Sequence, residues 1–509
     1  MSVRGSICAA LLACACIASR AAAPAAPVIH PGSWPAAHSR GLVDERTEAR
    51  ISALLVQLSV AEKVGQVIQA DVAHITPDDL RRYPLGSVLA GGGAGVNGNK
   101  RASAAQWLQM AREFRAVSLE GRPDHVPIPV MFGIDAVHGH NNVAGAVIYP
   151  HNIGLGAAHD AELVRRIGAA TAEEMSVTGI DWDFAPALPV PQDPRWGRTY
   201  EGNSQDPALV SRYAAAAVEG LQGAAELDGK QQSGHVAATA KHYLGDGATQ
   251  DGVDQGDSRV SEADLIRTHA LGYVAAIDAG VLPIRANARV LVTGPGADNI
   301  GMQCGGWTIS WQGDDTSNAD FPQGESIQAG LEAALAAGGG RLVDGHDLGG
   351  NDRPDVAVVV YGEKPYAEMF GDLQLALYNV GMTLEQLRKL RRQGIPVVTV
   401  FLSGRPLWAR PELDSSNAFV AAWLPGTEGG GIADVLVADA AGRPRHDFSG
   451  SLSFEWPNGA VPVRGPLSAV PAAGKYPLGF GLSYAGSGYA RPAGSTASPK
   501  SAAGAAATR

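Results

Sequence analysis

Four short apolar runs, PLGSVLAGG, PIPVMFGIDAVHG, DWDFAPALPV and VAATAKHYLGDG, each break into a polar, Gly-rich loop. The helical segments AELVRRIGAATAEEMSVTG and ALVSRYAAAAVEGLQGA are interleaved with them. Such alternation predicts a parallel sheet or a (β/α) barrel, because neighbouring parallel strands need a long crossover and a helix usually supplies it. A second unit of the same kind begins at ARVLVTGPGADN. It continues through VAVVVYGE, the helix MTLEQLRKLRRQG, the strand PVVTVFLSG and AFVAAWLPG. The expected fold class is therefore α/β: an N-terminal TIM-like (β/α) barrel followed by an α/β sandwich domain with a mainly parallel sheet. With 509 residues, 45% of them hydrophobic, the chain can bury both cores. Before the first strand, ARISALLVQLSVAEKVGQVIQ carries apolar residues three and four apart and is expected to be helical.

The ends of the chain read differently. Arg4, the apolar run ICAALLACACIA and the small residues up to Ala23 have the form of a signal peptide, so export to the periplasm or the exterior is expected. Leu11-Leu12-Ala13-Cys14 is an alternative, a lipoprotein box that would anchor the chain at Cys14. Removal of the leader leaves Cys304 as the one cysteine, which excludes an internal disulfide. No other stretch approaches the ~18 apolar residues of a membrane span. Residues 24–45 are Pro/Ala-rich and read as a linker, and residues 486–509 as a tail too polar and small to fold.

Chemistry is expected at the carboxyl ends of the strands, where open sheets and barrels both place it. The sharpest case is VAVVVYGEKPYAEMFGD, an apolar strand that empties into a loop bearing Glu363, Glu368 and Asp372 beside two aromatics. Such a loop suits a proton-donating carboxylic acid held over a sugar, since glycoside hydrolysis needs one carboxyl of raised pKa and a second as nucleophile or base. In GIDAVHGHNN, Asp135 and its histidines read either as a ligand site or as a capped turn. In DPRWGRTYEG, Arg195, Trp196, Arg198 and Glu201 read either as a clamp on a polar ring or as a surface salt bridge. In KHYLGDG, Lys241 and His242 are adjacent and reach one site only if the strand has ended, because neighbours on a strand point to opposite faces. Trp307 and Trp311, four apart in CGGWTISWQGDD, read as core or as a sugar platform.

Several classes are excluded. A net charge of −11 and pI near 5.6 leave no basic face for nucleic acid. GGGAG lacks the Lys-Ser/Thr of a phosphate loop and GPGADN lacks the third Gly of a dinucleotide fingerprint, so no cofactor is expected. Without a Cys cluster or an i, i+4 His pair beside a Glu, no metal is expected either.

Taken in order, GIDAVHGHNN, DPRWGRTYEG, KHYLGDG, CGGWTISWQG, GEKPYAEMFGD, FLSGRPLW, AAWLPGTEG and KYPLGFGLSY resemble the segments of glycoside hydrolase family 3, over most of residues 45–485. This is the family of β-glucosidases and exo-β-glucan glucohydrolases. The resemblance implies a barrel domain over 46–284 and a sandwich domain over 285–485. It implies a β-glucoside or β-glucan substrate hydrolysed with retention and without a cofactor. Asp135, Arg198, Lys241 and His242 would bind the non-reducing glucose, Trp307 would help clamp the next sugar, and Glu368 would be the acid/base, with Glu363 second choice for that role.

The chain departs from that pattern at one place. After HALGYVAAIDAG the family barrel continues through several βα units, one of them carrying the nucleophilic Asp before a Trp. Here Ala279-Gly280 runs directly into Val281-Leu282-Pro283-Ile284, which resembles the entry to the second domain, and no Asp-Trp pair follows. At roughly 30 residues per βα unit the shortfall exceeds about a hundred residues. The barrel is thus expected to be incomplete and the family nucleophile missing. Asp183, Asp246 and Asp251 are then the nearest substitute carboxylates, and a non-catalytic, sugar-binding remnant is the alternative.

Overall fold

A computed structural model describes residues 30–36, 45–223, 233–271, 273, 292–337, 341–343, 354, 356–378, 381–393, 395, 397–416, 418–437, 446–459, 462 and 464–481. The expected leader, the junction at Ala279–Ile284 and the tail lie outside them. Pro31–Ser33 forms a single 3-10 turn in a unit of its own, and the chain from Ala36 onward is one compact unit.

The first sheet of that unit is parallel, in the order β1 (Gln69–Asp71), β2 (Ser87–Ala90), β3 (Met131–Ile134) and β4 (Trp182–Asp183). Bridges from Trp182 to Ala237 and from Ala187 to Lys241 add one more strand position beyond β4. Helices Ala104–Ser118, Ala161–Val177 and Pro207–Gln222 fall between successive positions, as the alternation predicts. Trp107, Phe114, Phe132, Ile134 and Met175, all nearly sealed from solvent, form the core between sheet and helices. Among the described residues β1 pairs only with β2, so the sheet runs from β1 to Lys241 without closing. Val56, Val60 and Val67, on and just after the helices that precede β1, remain 86%, 78% and 85% exposed. A parallel sheet is normally covered on both faces, and this is the region a closed barrel would cover.

The expected single helix before β1 is two helices, Glu45–Gln57 and Val60–Gln66. The break has a local cause: Ser59 accepts from the Glu62 amide while the Glu62 carboxylate accepts from the Ser59 amide, a capping box that starts a new helix. The four apolar runs give strands of only two to four residues or isolated bridges, and β1 was not anticipated because three residues are too few to show a period.

The second sheet has the parallel order β5 (Ala357–Gly362), β6 (Val397–Leu402) and β7 (Ala418–Trp423), with Thr293 bridging to β5. Val359, Tyr361 and Phe401 face one core and Val358, Val360, Val400 and Leu402 the other, the period-two split of a sheet covered on both sides. Tyr200 and Ile153, from the first α/β unit, sit in the core of the second. Loops from the two sheets are thereby locked against one another, and the site forms between them. Among the described residues no helix is long and apolar enough to cross a membrane.

Candidate active site

The loop after β3 brings Asp135 to the end of the sheet, where it ion-pairs with Lys241. The bridge from Ala187 to Lys241 is the last strand pairing there, so the backbone leaves the sheet at that point. Both Lys241 and His242 therefore reach the same side: Nε2 of His242 lies 3.0 Å from an Arg198 nitrogen and its Nδ1 3.0 Å from Asp246. Asp246 fixes the imidazole.

Arg198 is the hub. Its guanidinium donates to both oxygens of Glu201 at 2.8 and 2.9 Å and to Glu368 at 3.2 Å, and lies 5.8 Å from the centre of the Trp307 ring. The salt bridge weighed at the surface for Arg198 and Glu201 is instead buried, with Glu201 only 3% exposed. Burial opposes ionisation of Glu201, but the charge and hydrogen bonds of Arg198 overcome it and hold the carboxyl below its usual range. Trp307 Nε1 also donates to Glu201, at 3.3 Å. One arginine thus gathers Glu201, Glu368, His242 and Trp307.

Glu368 opens a short 3-10 turn after the second sheet's first strand and adopts φ = +52°. Trp307 has φ = +64°. Left-handed backbone is uncommon outside glycine and persists where surrounding contacts impose it. Here the imposing contact is visible: a Cβ on Gly197 would lie 2.2 Å from the Glu368 carbonyl oxygen, so only glycine lets the two loops approach this closely. Asp372 completes the staple, accepting from the Gly197 amide and from the Asp254 amide, each at 2.9 Å. The Glu368 carboxyl is half-buried, and its pKa is raised by burial against the pull of Arg198, with Glu201 and Asp254 adding to the rise. A carboxyl whose pKa is raised in this way is suited to general-acid work.

Glu363, the second choice for that work, is occupied elsewhere. Its carboxylate accepts from Arg405, the Ser403 hydroxyl, the Gly404 amide and the Tyr366 hydroxyl. Arg405 in turn lies over the Tyr366 ring at 4.5 Å, so this network holds the loop that carries Glu368. Trp311 packs edge to face against Phe370, two residues beyond Glu368, and Phe370 is 67% exposed.

The three proposed substitute carboxylates fare unequally. Asp183 is completely buried, with one oxygen accepting from the Ala136 amide, and burial pushes its pKa well up. Asp246 bonds His242 and the Gly247 amide. Asp251 lies at the surface, 3.5 Å from Arg195. Sequence reading overlooked Asp254, which follows no strand and is one of several aspartates, with Asp251 and Asp257, in the same loop. It shares a cavity of about 210 Å³ with Trp196, Arg198, His242 and Asp246.

His138 and His151 stack at 3.7 Å. They hold the Trp307 loop through Thr308 and the Gly306 carbonyl. Burial lowers the pKa of His138 and takes His140 and His151 to about 3. Unfolding returns each to about 6.5, so the unfolded chain binds more protons between these values and stability falls as pH drops below 6.5. Each histidine is expected to contribute about 1.4 kcal/mol of loss per pH unit. Urea unfolding between pH 7 and pH 4 measures the slope, and His140→Gln should flatten it.

A half-buried carboxylic acid, an arginine-centred cluster of polar groups and flanking aromatics at the strand ends have the chemistry an O-glycosyl hydrolase uses. The comparisons with known proteins agree. The glycosyl hydrolase family 3 N-terminal domain model matches residues 59–294 and the family 3 C-terminal domain model residues 278–484, so the two overlap at the anomalous junction. The chain belongs to glycosyl hydrolase family 3.

A lysosomal beta glucosidase of Dictyostelium discoideum is 26% identical over an alignment of 600 residues covering 79% of this chain and 71% of that one. Since 79% of 509 is about 400, roughly 200 aligned positions stand opposite gaps in this chain. An exo-1,3/1,4-beta-glucanase from a Pseudoalteromonas species is 34% identical and superposes with a TM-score of 0.82 over 90% of this chain and 77% of its own. A periplasmic beta-glucosidase of Salmonella typhimurium is 28% identical over 239 residues, 47% of this chain and 29% of that protein.

Proposed function

We propose that this chain is an exported hydrolase that releases glucose from the non-reducing end of β-glucosides or β-glucans by a retaining, two-carboxylate mechanism. The observation that carries the reading is the placement of Glu368. Burial raises its pKa, Arg198 bonds it, and its loop is held closely against Gly197, with Asp372 accepting from the Gly197 amide. In this reading Glu368 protonates the leaving oxygen as the glycosidic bond breaks and, as carboxylate, then takes a proton from the incoming water. Asp135, Lys241, His242 and Arg198 bind the hydroxyls of the non-reducing glucose, and Trp307 helps clamp the next sugar. The barrel domain spans 46–284 and the sandwich domain 285–485. Export to the periplasm or exterior is supported by the leader-like segment and by the name of the Salmonella relative.

One observation favours a second reading. The roughly 200 gap positions in the Dictyostelium alignment, together with the overlap of the two family models at residues 278–294, suit a chain that has lost the end of its barrel, and with it the nucleophilic Asp. Such a chain would bind sugar without forming a glycosyl ester. Nitrophenol release from an aryl β-glucoside by the purified protein separates the two: steady release supports the hydrolase, and none from folded protein supports the sugar-binding remnant.

A further inference from the structure

A surface helix ordinarily turns the apolar residues at i, i+3, i+4 and i+7 toward the core. In the helix Glu45–Gln57 and the residue after it, that stripe is Ile51, Leu54, Leu55 and Leu58. It meets the core only at its last member: Leu58 is buried, Leu54 is half-buried, and Ile51 and Leu55 lie open. None of the helix's described side chains is buried. A helix of this length has too few bonds of its own to persist in water and takes its stability from packing. Within the described chain that packing is missing.

The next helix, Val60–Gln66, is turned outward in the same sense. It buries Glu62 and Gly65 and leaves Val60, Val64 and, at its C-cap, Val67 exposed, a spacing that puts the three valines on one face. The register is fixed from inside, because the Glu62 carboxylate accepts from the Ser59 and Val126 amides, each at 2.8 Å. The valines therefore cannot rotate inward without breaking both bonds. Val67 leads directly into β1, the strand at the open edge of the sheet.

Size and charge indicate what covers this face. Ile51, Leu55, Val56, Val60, Val64 and Val67 are between 43% and 86% exposed. At roughly 100 Å² for a fully exposed aliphatic side chain they present on the order of 400 Å² of apolar surface. Two copies set face to face would remove about 800 Å² of it, which, with the polar share usual at interfaces, means about 1,300 Å² in all. Stable dimers bury about 1,200–2,000 Å². Residues 45–68 carry Glu45, Glu48 and Glu62 against Arg46, Arg50 and Lys63, a net charge of zero on a chain of −11. Two such chains repel over most of their surface and meet without repulsion here. The lack of net positive charge and of aromatic residues in this segment disfavours an anionic membrane, which binds basic amphipathic helices.

We propose that the outer face of Glu45–Gln57 and Val60–Gln66 is a homodimer interface, on which a second copy of this chain docks about a two-fold axis through the same residues. The dimer supplies the cover that the unclosed sheet lacks on this side and keeps its apolar flank out of water. The proposal holds whether the chain hydrolyses sugars or only binds them.

Sedimentation velocity of the purified protein over a range of micromolar concentrations tests it. The expected result is a single species of twice the chain mass that dissociates on dilution. Val60→Glu with Val67→Glu, both at positions already open to solvent, should leave the far-ultraviolet dichroism unchanged and weaken the dimer about 100-fold or more, since like charges then face each other across the axis. Val177→Glu, at an exposed valine ending the helix Ala161–Val177, should leave the dimer intact. A monomer throughout, a mass that climbs past two copies without a plateau, or a dimer unaffected by the paired glutamates would overturn the proposal. Hydrogen exchange of the wild type needs no variant: the amides of Glu45–Gln57 should exchange at least about ten-fold faster once dilution has separated the copies, and exchange that is independent of concentration would also overturn it.

Discussion

Glu368→Ala is expected to reduce kcat by about 10²–10⁴-fold, the range contributed by a positioned general acid or base. The loss should depend on the leaving group. A nitrophenolate departs with little help from a proton, so bond cleavage from an aryl glucoside survives better than cleavage of a glucose disaccharide, whose sugar alkoxide needs protonation. A larger deficit on the disaccharide than on the aryl glucoside is the signature of the acid role; equal deficits would indicate that Glu368 only shapes the site. In the wild type the alkaline limb of kcat/KM reports the same group. Burial, Glu201 and Asp254 raise its pKa above the ordinary 4.5, so activity should persist above that pH and fall as Glu368 finally ionises.

Arg198→Met should be the most damaging single substitution for stability. Glu201 is buried and its one ion pair is with this guanidinium, which outweighs the more distant Lys241 and His242, so removal leaves a poorly compensated carboxyl in the interior, at a cost of about 3–5 kcal/mol. Urea unfolding of Arg198→Met, Glu201→Gln and the double variant measures it. Because the residues act as a pair, the double variant should be destabilised by clearly less than the two single changes added together. Arg198→Lys should fall between, since an ammonium keeps the charge but not the two-pronged geometry toward Glu201. Activity should be lost in all of them, because Arg198 also contacts Glu368 and His242.

Much of the architecture was legible beforehand. Strands ending in Gly-rich loops, separated by helices, announce parallel sheets because a parallel crossover has few other solutions, and the two larger sheets are parallel, while the short pairing of Trp456–Pro457 with Lys475–Tyr476 is antiparallel. The carboxylate loop after VAVVVYG was legible for the same reason, since an apolar β-branched run must end where polar residues begin. The break at Ser59 was also written locally, in Ser59 and Glu62, but two helices sharing one apolar period read as one. Strand length was less accessible, since β4 is two residues long and its extent is fixed by what pairs beside it.

The sequence by itself determined the fold class, the family and the residue types of the site, because periodicity, turn chemistry and ordered motifs are properties of neighbours along the chain. Only the tertiary structure decided what each carboxyl touches. Glu363 and Glu368 lie five residues apart, yet one is bound into the Arg405 network and the other reaches Arg198 across the interface of two sheets. Asp254 is one of three evenly spaced aspartates in DGVDQGD and is set apart from Asp251 and Asp257 only by its bonds to Trp196, 58 residues earlier, and Asp372, 118 residues later. Protonation and reach depend on burial and on charges a few ångströms away, and those distances exist only once the chain has folded.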